Sequence, residues 1–307
     1  MKRLSVLVLV LVGLFTAQAQ HTIYPFFDDK GAVRIETTEL NDAADTLVTV
    51  FHRADDIVWS RIVYRVIDMR YKQNFQLYFP TNPDDNQYQS LFRLITGAII
   101  DGMPIYEADR YTIKPKFDEE HLLEKSRIPD QFIVGTIADL DRDDEDSYLV
   151  LYDSINDELR TNFSRYDNFV RNQLKYLIQE IIFFDKHTSR LCTKIIAIAP
   201  LQPDMALGTQ NPYSFLMYSR KFWVAFDDLR PYLARHYMIP QKNDNRRVTF
   251  DEFFGKKLYT SYLVGDSNMY DRMIINEQYD LDEAQVRREQ QALFEELLNF
   301  EQDLWEY

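Results

Sequence analysis

Cysteine and glycine are nearly absent from this sequence, and each shortage removes a class of protein. The one cysteine, Cys192, excludes an intrachain disulfide framework, so an oxidising compartment is tolerated rather than exploited. A lone thiol in an apolar-rich segment reads as a small buried hydrophobe. Only eight glycines occur in 307 residues, well below the usual ~7%, which leaves few places for phosphate-cradling loops or tight active-site turns. Basic charge is also short. The chain carries 35 Lys and Arg against 49 Asp and Glu, a formal net charge of -14. Such a chain repels phosphate backbones, so nucleic acid is excluded as a partner class. The excess acid reads first as a solvated surface, and any attractive role would favour a basic partner protein.

Catalytic and metal-binding signals are equally sparse. His21, His52, His121, His187 and His236 are scattered, and none has a second His or Cys at metal-ligand spacing. The sequence has no G-x-S-x-G elbow, Walker loop or S-x-x-K motif. Asp139, Asp141 and Asp143 imitate the start of a calcium loop, but Asp144 stands where the sharp turn needs Gly and Val150 where the bidentate Glu belongs. The acidic run 139–146 therefore reads as a solvated loop. No catalytic, cofactor-binding or metal residue is assigned, and the chain is expected not to be an enzyme.

Long apolar runs occur only at the very start. Lys2 and Arg3 precede an apolar stretch from Leu4 to Phe15, and Ala17-Gln18-Ala19 forms a small-x-small cleavage site. This is the pattern of a secretory signal peptide over 1–19, with Gln20 the expected first mature residue. No Cys lies there to be acylated. After it, no stretch reaches the roughly eighteen apolar residues of a membrane helix, so a direct membrane span is not expected.

What the chain does have is core: 46% of residues are hydrophobic and 14% aromatic. Residues 20–52, broken by Pro25 and Gly31, read as an extended arm. Apolar residues at Trp59, Ile62, Val63, Val66 and Ile67 predict a helix from Asp55 or Asp56 to about Tyr71. The alternation from Asn74 to Pro80 predicts a strand. Ser90 caps a helix with Leu91, Leu94, Ile95, Ala98 and Ile99 on one face, stopped by Gly102. Ile105-Tyr106 and Tyr148 to Tyr152 read as strands, and Phe117 to Lys125 as a short helix.

Two strands, Tyr176 to Phe184 and Leu191 to Ile198, are apolar on both faces and flank a polar turn, Asp185 to Ser189. That pattern belongs inside a sheet covered from both sides. Phe215 to Phe226 reads as a third strand region leading into a helix from Asp227 to His236, where Pro231 fits only in the first turn. Thr249 and Glu252 form a capping box for a further helix.

From Asp282 to Trp305 there is neither Gly nor Pro, which predicts a helix about 36 Å long. Its polar first half precedes an apolar stripe, and Leu293, Leu297, Phe300, Leu304 and Trp305 are the expected protein-interface residues. The expected fold class is α+β: a single mixed domain over 53–280 with a central antiparallel hairpin and sheet flanked by helices. The arm precedes it and the C-terminal helix, 281–307, follows.

The segment Asp55-Asp56-Ile57-Val58-Trp59-Ser60-Arg61-Ile62-Val63-Tyr64-Arg65-Val66-Ile67-Asp68, with Lys72-Gln73-Asn74 through Pro80, resembles the front of the GldN/PorN family of gliding-motility proteins. Phe183-Phe184-Asp185-Lys186-His187-Thr188-Ser189 with Ile195 to Pro200 is similar to that family's central signature, and Glu301 to Tyr307 to its end. The resemblance implies a non-enzymatic periplasmic component of the type IX secretion and gliding machinery of Bacteroidota. It implies no cofactor. It also implies a ring formed with an outer-membrane lipoprotein of the GldK/PorK type, acted on by a GldM/PorM-type periplasmic motor protein. Two other classes stay open from the residues alone: a periplasmic enzyme or ligand-binding protein with a site built from dispersed acids and tyrosines, and a soluble calcium-binding module.

Overall fold

A computed structural model describes residues 52–81, 88–109, 112–132, 148–162, 173–203, 218–239, 248–267 and 283–303. In chain order the elements are β1 (Ile57–Asp68), α1 (Phe75–Tyr78), α2 (Leu91–Ile100), β2 (Tyr106–Glu107), β3 (Val150–Asp153) and β4 (Glu158–Thr161). They continue with β5 (Lys175–Asp185), β6 (Arg190–Pro203), β7 (Tyr218–Arg220), β8 (Phe222–Ala225), α3 (Phe226–Arg235), α4 (Phe250–Gly255), β9 (Ser261–Asp266) and α5 (Glu283–Asp303). The fold is α+β. The main sheet is antiparallel and runs β2-β8-β6-β5-β1-β9, with β7 also on β6, while β3 and β4 form a separate hairpin.

The strand β5 is the spine. Ten of its eleven residues are buried, because it lies between β1 and β6 and both faces are covered. On one face Ile67, Ile178 and Ile198 meet Leu94, Ile95, Leu229 and Phe253 from the helices. On the other, Tyr64, Val66, Leu177, Ala197 and Trp223 lie under Ile113 and the half-buried Tyr106 and Phe117. The hairpin and its coverage are therefore as the sequence pattern requires.

The first predicted helix is instead the strand β1. Trp59, Ile62, Val63, Val66 and Ile67 match helical spacing only by coincidence. In the second half of the strand Val63, Tyr64, Val66 and Ile67 are all buried, since a strand paired on both sides and packed on both faces loses its period of two. The excess of β-branched residues was the stronger signal. Asp55 and Asp56 fall in a short 3₁₀ turn before it.

The predicted strand from Asn74 to Pro80 is a 3₁₀ turn followed by α1, ending in a cis Phe79–Pro80 peptide bond. Buried Asn74 decides this. Its Nδ2 donates to the Asp68 and Thr260 carbonyls at 2.8 and 2.7 Å, and its Oδ1 accepts from Thr260 N–H at 2.8 Å. That clamp holds the chain in a turn rather than letting it extend.

The helix α2 follows its signals: Ser90 accepts from Arg93 N–H, and Gly102, at φ +98°, ends it. Met103 N–H then bonds the Ala98 carbonyl and Gly102 N–H that of Ile99, a Schellman motif that only a residue tolerant of positive φ closes without strain. The predicted helix at Phe117 to Lys125 is two 3₁₀ turns, Glu119–His121 and Lys125–Arg127. Pro129 and a run of charged residues leave it too few apolar positions to pack as a longer helix. Pro231 lies in the second turn of α3, not the first. The buried face of Phe226, Leu229, Leu233 and Ala234 outweighs the one backbone bond lost there. Residues 1–51, the acidic run 139–146 and Leu304 to Tyr307 lie outside the described residues.

Lys175, at the start of β5, is 1% exposed. It stands opposite Asp68 in the ladder, whose carboxylate Arg70 Nε binds at 2.9 Å. Burial pushes the Lys175 ammonium down to about 8 from 10.5. A base with a lowered folded pKa destabilises the fold below that value, and the cost is relieved as pH rises from about 8 toward 10.5. The wild-type protein should therefore gain about 1–2 kcal/mol of stability between pH 7.5 and 9.5 from this group. Urea unfolding of Lys175→Met at both pH values checks this: the variant should lack the gain.

Candidate functional site

One end of the sheet gathers a tightly bonded turn, a packed helix and exposed apolar side chains. At the hairpin end β1, β5 and β6 outrun their neighbours, and their turn is tightly organised. Buried Asp185 accepts from His187 N–H at 2.8 Å, and His52 Nδ1 lies 2.7 Å from its Oδ2. Burial alone would raise this carboxyl, but His52 and the turn's backbone donors outweigh it and hold it below the usual range. Lys186 ties the turn to the start of β1 through the carbonyls of Asp55 and Asp56. The His52 ring meets Phe183 edge-on at 4.9 Å.

The helix α5 lies against this part of the sheet. Leu293 is buried with Val63, Ile182 and Leu263, so this residue of the expected docking stripe seats the helix on the chain's own sheet. Gln290 Nε2 donates to the Leu263 carbonyl at 2.7 Å, and Arg61 Nη1 to Glu296 at 3.0 Å. Arg61 also holds Asp266, with Nε 2.9 Å from its Oδ2. Phe294 and Leu298 are 43% and 40% exposed. Leu297 and Phe300 lie within α5, while Leu304 and Trp305 fall beyond the described residues. The apolar stripe thus divides: one residue anchors, and two neighbours stay open to solvent.

Behind the hairpin end sits a buried ionic hub that no sequence motif announced. Glu180, 1% exposed in mid-β5, accepts from Tyr259 Oη, and its Oε2 lies 3.2 Å from Arg65 Nε and 3.3 Å from Lys257 Nζ. Burial, then the Glu180 charge, raises the Tyr259 phenol well above its ordinary value, so it stays a donor. Beside the hub, Lys194, Asp227, Arg230, Asp251 and Lys257 line a cleft of about 80 Å³, small against the roughly 300–1,000 Å³ of metabolite sites. Its charges are matched internally, Lys194 to Asp227 at 2.9 Å and Arg230 to Asp251 at 2.8 Å.

Chemistry at a thiol is not favoured. Burial, then the Asp185 charge, pushes the Cys192 thiol up rather than toward thiolate. His121 pairs with Asp118 and His236 with the Tyr232 carbonyl. Among the described residues no group of three or more His, Cys, Asp or Glu side chains converges.

In comparison with protein families, the model for the gliding motility associated protein GldN matches residues 52–306. No curated protein matches the chain.

The geometry gives Glu180 a structural task, and its removal should show that. Glu180→Gln leaves the Arg65 and Lys257 cations, 21% and 40% exposed, beside a neutral amide, and losing charge-assisted bonds of this partly solvated kind costs about 1.5–3 kcal/mol. Urea unfolding should register a loss of that size. A loss below about 1 kcal/mol, the value of a surface pair, would contradict the role.

Proposed function

The chain belongs to the GldN family, components of the gliding-motility and type IX secretion machinery, and on that premise we propose that it is a non-enzymatic periplasmic ring subunit. The match over 52–306 carries the reading. In it, residues 1–19 direct export and are removed, 20–52 form an arm, and 53–280 form the body that bears the C-terminal helix. The protein is held beneath the outer membrane by a GldK/PorK-type lipoprotein. The ring they form together receives force from a GldM/PorM-type motor protein. No described helix is long and apolar enough to cross a membrane, which accords with attachment through a partner.

We assign the partner contact to the second half of α5 and its continuation, with Phe294 and Leu298 as exposed apolar contacts beside Leu297, Phe300, Leu304 and Trp305. Phe294 and Leu298 stand one helical turn apart on the same face and are 43% and 40% exposed, so together they offer an apolar surface for a partner to cover. Leu293 belongs to the anchor and not to the contact.

Deleting the gene should abolish type IX secretion, and gliding where the organism glides; normal secretion in the deletion strain would refute the function. In that strain, Phe294→Glu with Leu298→Glu should give a protein that melts like the wild type, because neither side chain is buried. It should no longer co-purify with the lipoprotein, nor restore secretion. Retained co-purification would move the contact elsewhere.

A further inference from the structure

The cleft between β6, α3 and α4 carries more positive charge than its carboxylates balance. Lys194 is met by Asp227 at 2.9 Å and Arg230 by Asp251 at 2.8 Å. The third cation of the lining, Lys257, reaches Glu180 at 3.3 Å, but Arg65 already holds the same carboxylate at 3.2 Å. One negative charge thus stands between two positive ones. Among the described residues neither Arg65 nor Lys257 has another carboxylate within ion-pair distance. Tyr259 adds a donor to Glu180 and no charge. Burial pushes the Lys257 ammonium below its ordinary value; Glu180 pulls it back and Arg65 opposes that, so the cation is left under-compensated.

The backbone places this lysine against its own preference. Lys257 N–H bonds the Phe254 carbonyl and Leu258 N–H that of Phe253, both at 3.0 Å. These two bonds close a Schellman turn after α4, and the residue at that point is usually Gly because it takes positive φ. Lys257 takes it at φ +51°, where its Cβ crowds the following carbonyl. Glycine would close the same turn without strain, so what lysine adds there is its ammonium. That side chain is 40% exposed, against 1% for Glu180, and it lines the cleft.

The remaining lining narrows the ligand. Ile195, Phe226 and Phe254 form an apolar wall. The volume, about 80 Å³, is roughly half that of a ~150 Å³ cavity that takes benzene, which leaves room for about three to five heavy atoms. A single surplus charge calls for a monoanion, and a dianion such as sulfate would overshoot it. An ammonium has three donors, so Lys194 and Lys257 keep donors beyond those given to Asp227 and Glu180.

We propose that this cleft binds the carboxylate of a short aliphatic acid, its oxygens on Lys257 and Lys194 and its methylenes against Phe226 and Phe254. The carboxylate can come from a free small acid or from an acidic side chain of another protein, since the chemistry is the same. The site is separate from the α5 contact, and its failure would leave the reading as a secretion component untouched.

The test is a titration of the isotope-labelled full chain with sodium propionate at constant ionic strength, followed by amide NMR. The amides of Thr193, Ile195, Gly255 and Lys257 should shift and saturate, with a dissociation constant on the order of 1 mM, within reach of so small a ligand. Sodium sulfate should give no saturating response. Lys257→Gly, which suits the positive φ, should fold by circular dichroism and bind at least about tenfold more weakly. Lys256→Gln should bind as the wild type does, because Lys256 pairs with Glu252 and lies outside the lining. N-acetylglutamic acid α-amide separates the two sources. Saturation by it as well as by propionate assigns the site to a protein side chain, and saturation by propionate alone assigns it to a free acid. No saturating shift with propionate, an equal response to sulfate, or a folded Lys257→Gly that binds like the wild type would each overturn the proposal. Should Lys257→Gly not fold, Lys194→Gln must weaken binding, and unchanged binding overturns the site.

Discussion

A carboxylate in the middle of a β-sheet must be met by donors on every side, and the rest of this structure is arranged around that requirement at Glu180. Removed from water, the charge would cost several kcal/mol if left alone. It is met by Arg65 from β1, and by Lys257 and Tyr259 from the link between α4 and β9. These three contacts fix β1 against β5 and bring β9 round to the outer side of β1. The Asn74 clamp to Thr260 closes the same junction from the other end. Hydrophobic burial supplies the bulk of the stability. The polar contacts decide which strands end up adjacent and in what register.

That placement has a consequence at the hairpin end. With β9 held where Lys257 and Tyr259 reach Glu180, its ladder along β1 ends at Asp266. With α3 beginning at Phe226, immediately after Ala225, β8 leaves β6 at Ala197. Among the described residues, the hairpin ends of the three longest strands therefore extend past the ladders of β9 and β8. The helix α5 crosses this region on Gln290, Leu293 and Glu296 and presents Phe294 and Leu298 outward.

The hairpin, the capped helices at Ser90 and Thr249, the Gly102 stop and the long C-terminal helix were legible in the sequence, because their signals are local. Chain-distant effects were not. The β1 strand reads as a helix because pairing on both sides and burial on both faces erase the alternation that marks a strand. The turn at Asn74 depends on a partner, Thr260, that lies far along the chain. Of the expected interface stripe, Leu293 is buried against the chain's own sheet: periodicity shows which helix face is apolar, not whether that sheet covers it. The Glu180 hub left no sequence signal, since it exists only once the strand order is set.

Residue-resolved amide hydrogen exchange bears most directly on this architecture. In the isolated protein, amides of Val63 to Ile67 and of mid-β5 should exchange slowly, because they sit between paired strands. Those of Ser60, Leu191 and Thr193, on the same strands or their neighbour, should exchange fast. Fast exchange of Val63 to Ile67, or strong protection of Ser60 and Thr193, would contradict the account.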